Sequence, residues 1–83
     1  MSTTEAPLED PPEPVTALFA RRARALRRER GWTLEAMASR PGLNVSAVRR
    51  AERGRNTTLA TAERVAAAFG KSLPEMLAPE VTG

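Results

Sequence analysis

A chain of 83 residues with a net charge of +3 has room for one small domain. It contains no cysteine, histidine or tyrosine, which excludes disulfides, thiolate or imidazole metal sites and the commonest general base. We therefore expect a protein that is not an enzyme and that holds no metal, cofactor or small-molecule ligand. No apolar run is long enough to cross a membrane, and the acidic start is unlike a secretion signal. Together with the lack of cysteine, this favours a cytoplasmic protein without a membrane partner.

The first element is an acidic, proline-rich segment, residues 1–14, which has four acidic side chains and no basic one. Its composition predicts a disordered tail. The rest of the chain has all 13 basic side chains and six acidic ones, a net charge of +7. Such a basic domain indicates a polyanionic partner, with nucleic acid first. The tail is interpreted as a solvating leader, or alternatively as an arm that folds back on the basic face and competes with DNA.

The first helix is predicted from about Val15 to Arg30. Its apolar residues recur at helical spacing, at Val15, Leu18, Phe19, Ala23 and Leu26. Gly31 can take a left-handed conformation and end the helix. Trp32, which follows, is interpreted as a core residue rather than as an exposed stacking platform.

A basic band lies along the same helix, made of Arg21, Arg22, Arg24, Arg28 and Arg30. Such a band is usually a solvated face. The alternatives are that it extends a DNA footprint, binds a membrane surface or receives the acidic tail.

Two short helices joined by a glycine turn are predicted next. Thr33 caps a helix from about Leu34 to Ser39 or Arg40, and Asn44 caps a helix from about Val45 to Arg53. Two helices that cross steeply need a small residue at the contact, a turn residue free to take positive φ, and apolar anchors. Ala38, Gly42, Val48 and Ala51 supply these in register. Such a pair leaves one face of its second helix free to enter a major groove.

Two further helices complete the predicted domain, which spans residues 15–79. Thr58 caps a helix from about Leu59 to Phe69, whose buried face is expected to hold Leu59, Ala62, Val65, Ala66 and Phe69. Ser72 and Glu75 have the spacing of a capping box for a fifth helix, whose apolar face contains Leu73, Met76 and Leu77. Residues 80–83 are expected to fray. The predicted fold is therefore all-α, with five helices.

Residues from about Leu18 to Leu77 resemble the Cro/C1-type (XRE) helix-turn-helix family of bacterial and phage repressors. The resemblance depends on LRRERGW, the Ala38, Gly42 and Val48 frame, AERGR, LATAERVAAAFG and KSLPEML, in that order. It implies a compact lambda-repressor-like domain whose third helix lies in the major groove of DNA. It also implies a homodimer on a pseudo-palindromic operator.

The chain departs from the family pattern in three places. Leu34 stands where the family commonly has a glutamine that bonds a phosphate. Either this contact is lost, or it is made by Thr33 or by main-chain amides at the start of the helix. Pro41 is unusual before the turn glycine. The loop after Gly54 is about one residue shorter than is typical.

The resemblance also assigns candidate site residues by position. The base-reading candidates are Val45, Ser46, Ala47, Arg49 and Arg50. Arg50, and then Arg49, are the preferred readers of guanine, because arginine can bond its O6 and N7 together; alternatively, both arginines only neutralise phosphates. Phosphate contacts are expected from Thr33, Arg40, Asn44, Arg53 and Arg55.

Two structural expectations also come from the family. Arg27 and Glu52 are expected to form an ion pair between the first and third helices, rather than to be independent surface charges. The dimer interface is expected on the fifth helix, at Leu73, Met76, Leu77 and Val81.

The sequence thus predicts a sequence-specific, double-stranded-DNA-binding transcriptional regulator, of the size of restriction-modification controllers and phage-type repressors. The alternative is an antitoxin or other interaction module that uses the same fold mainly to bind a protein partner. Binding of RNA through the arginines of the first helix is disfavoured, because exposed aromatic side chains for base stacking are lacking. Binding of a membrane surface is disfavoured because the apolar faces of the helices are expected to be used by the core.

Overall fold

Five α-helices account for most of residues 13–79, the part of the chain that the computed structural model describes. They are α1 (Val15–Glu29), α2 (Leu34–Ala38), α3 (Val45–Arg53), α4 (Leu59–Ala68) and α5 (Leu73–Leu77). The predicted all-α, five-helix fold is confirmed. The first four helices begin at the predicted residues. α1 and α4 end one residue earlier than predicted, and α2 ends one or two residues earlier. Among the described residues, no helix is long and apolar enough to cross a membrane.

Two parts of the sequence prediction lie outside the described residues. These are the acidic tail up to residue 12 and the C-terminus at residues 80–83, which includes Val81. The remaining acidic residue of the tail, Glu13, is described, and its carboxylate pairs with Arg21 of α1 at 3.0 Å.

Side-chain caps start four of the helices. The oxygens of Thr33, Asn44 and Thr58 each accept a hydrogen bond from the amide three residues ahead, at 3.0, 2.8 and 3.1 Å. Ser72 and Glu75 form the predicted capping box in both directions. These bonds satisfy amides that have no partner within the helix, so the helix starts are fixed by local sequence.

The core lies between α1, α3, α4 and α5, with Met37 of α2 closing one side. Met37, Val48, Val65 and Met76 are its largest fully buried side chains. Trp32 packs against the edge of this core, where its ring stacks on Phe69 with centroids 5.7 Å apart.

The sequence prediction is wrong for Leu59, which was expected to be buried and is 75% exposed. It is the first residue of α4, and this turn extends beyond the edge of the core that Ala62 and Val65 help to form. Val15, at the start of α1, is 61% exposed for the same reason. Both side chains border one apolar depression.

The basic band was predicted to be a solvated face, but two arginines of α1, Arg22 and Arg24, and the residue that follows α1, Arg30, bind the carboxyl ends of other helices. Arg22 donates to the carbonyl oxygen of Met76, in the last turn of α5, and to that of Ala78, which follows α5. Arg24 donates to the carbonyl oxygen of Glu52 in α3, and Arg30 to that of Phe69 after α4. Last-turn carbonyls lack donors within their own helix, and a cation is favoured at that end of the helix dipole. Much of the band interpreted as a solvated face therefore ties the helices together.

Candidate nucleic-acid interface

The turn between α2 and α3 has the conformation that the sequence indicates. Gly42 adopts φ +78°, which favours glycine, and the side chain of Arg64 from α4 lies over it. Val48 is fully buried and Ala51 is 1% exposed, so these two residues anchor α3 in the core. Leu43 packs against the same core from the turn.

The outward face of α3 consists of Ser46, Arg49, Arg50 and Arg53, all of them exposed. Their spacing places them on one stripe of the helix, opposite the buried residues. Their side chains make no hydrogen bond or ion pair within residues 13–79, which leaves their donors available for a ligand. Arg49 and Arg50, the predicted guanine readers, thus lie side by side on this face.

Ala47 and Val45 do not share the exposure of that stripe. Ala47 was predicted to read bases from the outward face, but it is only 6% exposed and its side chain faces the core. Val45 is half-buried at the first position of α3. The reason is helical geometry, since Ala47 precedes the buried Val48 and lies one turn before Ala51.

Asn44 and Thr33 combine a capping role with exposure. The Oδ1 atom of Asn44 accepts from the amide of Ala47, which leaves its NH₂ group as a donor. The Oγ1 atom of Thr33 accepts from the amide of Ala36, and its hydroxyl hydrogen remains available. Each can therefore fix a helix start and still offer a donor to a phosphate.

Arg27 and Glu52, the predicted ion pair, are brought together as a bidentate contact. Nε of Arg27 lies 2.6 Å from Oε2 of Glu52, and Nη2 lies 3.0 Å from Oε1. Nη1 of Arg27 also donates to the carbonyl oxygen of Trp32 at 2.9 Å. The hydrogen bonds to Glu52 raise the pKa of Arg27, so the guanidinium stays charged. This contact sets the position of α3 against α1.

A groove beside α3, which we call the arginine groove, is lined by Arg24, Leu34, Arg49, Glu52, Arg53 and Arg55. Arg53 and Arg55 were predicted to contact phosphates, and the structure places them together here. Its one carboxylate already binds Arg27. No group of three or more acidic side chains suited to a metal ion occurs within residues 13–79.

Arg24 lies in this groove. From the sequence it was placed in a basic band, for which contact with DNA was one alternative to a solvated face. It comes three residues before Arg27, so both lie on the side of α1 that meets α3. That spacing was the signal that could have identified it.

Arg40 lies apart from the groove. Its guanidinium carbon is 4.1 Å from the centroid of the Trp32 ring, and Nη1 donates to the carbonyl oxygen of Ala36 at 3.2 Å. Arg40 borders a different depression, which it shares with Arg64 and Pro41. The structure therefore does not bring it together with the other predicted phosphate-binding residues.

The predicted dimer surface on α5 also needs a correction. Met76 is 2% exposed and belongs to the core of the single chain, so it is not available to a second copy. Leu73 and Leu77 are half-buried and border the apolar depression that contains Val15 and Leu59. The available apolar surface therefore runs from α5 to the starts of α1 and α4.

Comparisons with known proteins agree with this geometry. A helix-turn-helix family model matches residues 24–76, from the middle of α1 into α5. The chain is also similar to the crystal structure of a hypothetical transcription factor, NHTF, from Neisseria. The TM-score is 0.70 and the identity 35%, over 90% of this chain and 88% of that chain. No curated protein matches the sequence.

Proposed function

Because this chain belongs to the Cro/C1-type (XRE) helix-turn-helix family of DNA-binding transcriptional regulators, we propose that it binds a specific double-stranded operator as a homodimer. The observation that carries the proposal is the division of α3 into two faces. Val48, Ala51 and Glu52 hold one face in the domain, while a polar and cationic stripe covers the other. A rigid helix with such an outward face is what reading a major groove requires.

Individual roles follow from the chemistry of that stripe. Arg50 reads guanine and Arg49 is the second candidate, because a guanidinium can bond O6 and N7 together. Ser46 contacts a base edge, and Val45 can pack on a thymine methyl group. Asn44, Thr33, Arg53 and Arg55 bind phosphates and fix the register of the domain on the duplex. Arg40 has the least support among the predicted phosphate contacts, since Trp32 and Ala36 already hold its guanidinium.

Self-association is supported by the apolar depression of about 70 Å³ that Val15, Leu59, Leu73 and Leu77 border. None of its lining residues is charged. A two-fold axis brings like surfaces together, so a strongly basic domain self-associates best through an uncharged surface. The depression also includes Gly54 and Thr57, directly after α3. Pairing there would hold two α3 helices on one side of a duplex, as a pseudo-palindromic operator requires.

Selection from random duplexes at physiological salt tests the proposal. We expect a pseudo-palindrome whose half-sites lie about 10 base pairs apart, or a multiple of that distance. The logarithm of the binding constant should fall linearly with the logarithm of the salt concentration. Equal affinity for every duplex would contradict the proposed specificity.

A second candidate function is that of an antitoxin or another protein-interaction module. It is favoured by the same exposed side chains, Val15 and Leu59, which a different protein could cover. Co-purification of a partner protein, combined with weak DNA binding by the free chain, would support it. Within the regulatory proposal, the neighbouring genes would distinguish a restriction-modification controller from a phage-type repressor.

A further inference from the structure

We propose that Arg24, on α1, binds a phosphate of the DNA backbone together with Arg53 of α3. The inference rests on the proposed function, because it names the chemical group that the arginine groove receives. It extends the DNA contact from the helix-turn-helix pair to α1.

The position of Arg24 is fixed by α3 itself. Nη1 of Arg24 donates to the main-chain carbonyl oxygen of Glu52, in the last turn of α3. Arg27 binds the carboxylate of the same residue. A guanidinium has five N–H donors, and this is the one bond of Arg24 within residues 13–79. Its other donors are therefore available, on a side chain that is already ordered.

The charge of the groove favours an anion. Arg24, Arg49, Arg53 and Arg55 line it, and none of them forms an ion pair within the described part of the chain. Glu52 does not neutralise them, because its two carboxylate oxygens are held by Arg27. Four cations along one depression repel one another, and a bound anion would offset that repulsion. Phosphodiester oxygens match the arginine fork in charge and in geometry.

The anion is assigned to the DNA backbone rather than to a base. Arg49 and Arg53 are one helical turn apart, and the groove follows the flank of α3 between them and α1. When a helix lies in the major groove, its flank faces the strand that borders that groove. A contact there strengthens binding to every sequence equally.

Substitution of Arg24, with Arg28 as the control, tests the inference. Arg28 is exposed on the same helix and does not line the groove. Each phosphate contact contributes about 0.9 to the salt slope, which corresponds to about fivefold in affinity at 0.15 M salt. Arg24→Gln should therefore bind a mixed-sequence duplex about fivefold more weakly, with a slope smaller by about 0.9. Arg28→Gln should keep the wild-type affinity and slope, and Arg24→Lys should keep the slope because it keeps the charge.

The salt slope separates a phosphate contact from a merely structural role, since a loss of packing does not change the number of ions released. Equal slopes for wild type, Arg24→Gln and Arg28→Gln would overturn the inference.

A second measurement uses the unaltered protein and does not depend on whether a variant folds. The side-chain Nε–H signals of ¹⁵N-arginine-labelled protein are followed as the mixed-sequence duplex is added. Signals of Arg24, Arg49 and Arg53 should move, while that of Arg28 stays. If Arg49 and Arg50 move and Arg24 does not, the inference is wrong and the proposed function stands. If the duplex moves no arginine of α3, the proposed function fails as well.

Discussion

Gly54, which ends α3, lies directly against the main chain of Thr16 in the first turn of α1. A Cβ atom at position 54 would be 3.1 Å from the carbonyl oxygen of Thr16. Gly54 also has φ +69°, a conformation that favours glycine. The residue therefore both ends α3 and lets α1 approach it closely.

Gly54→Ala should destabilise the domain more than Gly31→Ala does. The two glycines have the same φ of +69°, but a Cβ at Gly31 would meet no atom within 4 Å. Gly31→Ala should cost about 1 kcal/mol for the left-handed conformation alone. Gly54→Ala should cost about 1–2 kcal/mol more, because the main chain of Thr16 must shift. Urea denaturation measures both, and equal losses would show that the close approach has no energetic consequence.

Arg27→Met should lower the free energy of unfolding by about 3 kcal/mol, because it leaves the buried carboxylate of Glu52 without its cation. For a domain of this size, the melting temperature should fall by more than about 10 °C. The double variant Arg27→Met with Glu52→Met should be more stable than Arg27→Met alone, since it buries no unpaired charge. An unchanged melt for Arg27→Met would show that the ion pair contributes nothing.

Leu59→Glu should convert a dimer into a monomer without unfolding the domain. The side chain is 75% exposed, so the single chain loses little packing, whereas two copies would bring two carboxylates together. Ala60→Glu is the control, because Ala60 is exposed beside it and does not line the apolar depression. Sedimentation gives the mass of each variant. The proposed interface is wrong if both variants keep the wild-type mass.

Arg50→Gln should change which operator is preferred, whereas Arg53→Gln should weaken binding to all duplexes by a similar factor. The expected loss for Arg50→Gln is about 1–3 kcal/mol on the selected operator and much less on an unrelated duplex. Both substitutions remove one charge from the same face of α3, so their comparison cancels the effect of net charge. A uniform loss for Arg50→Gln would show that it contacts a phosphate.

The capping box of α5 should make stability depend on acidic pH. The main-chain amide of Ser72 donates to Oε1 of Glu75 at 2.7 Å and, with the hydroxyl of Ser72, lowers the pKa of Glu75 below its ordinary 4.5. Because the folded pKa is the lower one, the stabilisation is complete above the unfolded pKa and is lost as pH falls through the folded value.

Glu75→Gln serves as the comparison for this pH dependence. The stability difference between wild type and Glu75→Gln should shrink between about pH 6 and pH 3. Denaturation at each pH measures it. The pKa of Glu13 is also lowered, by its hydrogen bond with Arg21, but this contribution is common to both proteins and cancels. A difference that is constant with pH would contradict the role of the Glu75 carboxylate.

Local chemistry explains why much of the fold was predictable. Caps such as Asn44 and turn glycines such as Gly42 act over three or four residues, so their effects can be inferred from spacing. The exposure of Leu59 was not predictable in this way, because it depends on how far α4 extends past its neighbours. The bond between Arg24 and Glu52 likewise joins residues 28 positions apart. The spacing of Arg24 and Arg27 indicates that they share one side of α1, but it does not indicate which main-chain atom Arg24 binds.

The inward face of α3 is buried in the domain and its outward face is exposed, so the residues of the two faces can change independently. Side chains at Ser46 and Arg50 make no bond within the described chain, while Val48 and Glu52 keep the helix in place. Exchanging the outward residues alone therefore disturbs little of the packing. Under the proposed function, a few substitutions on an unaltered scaffold would change the operator preference, whether by natural drift or by design.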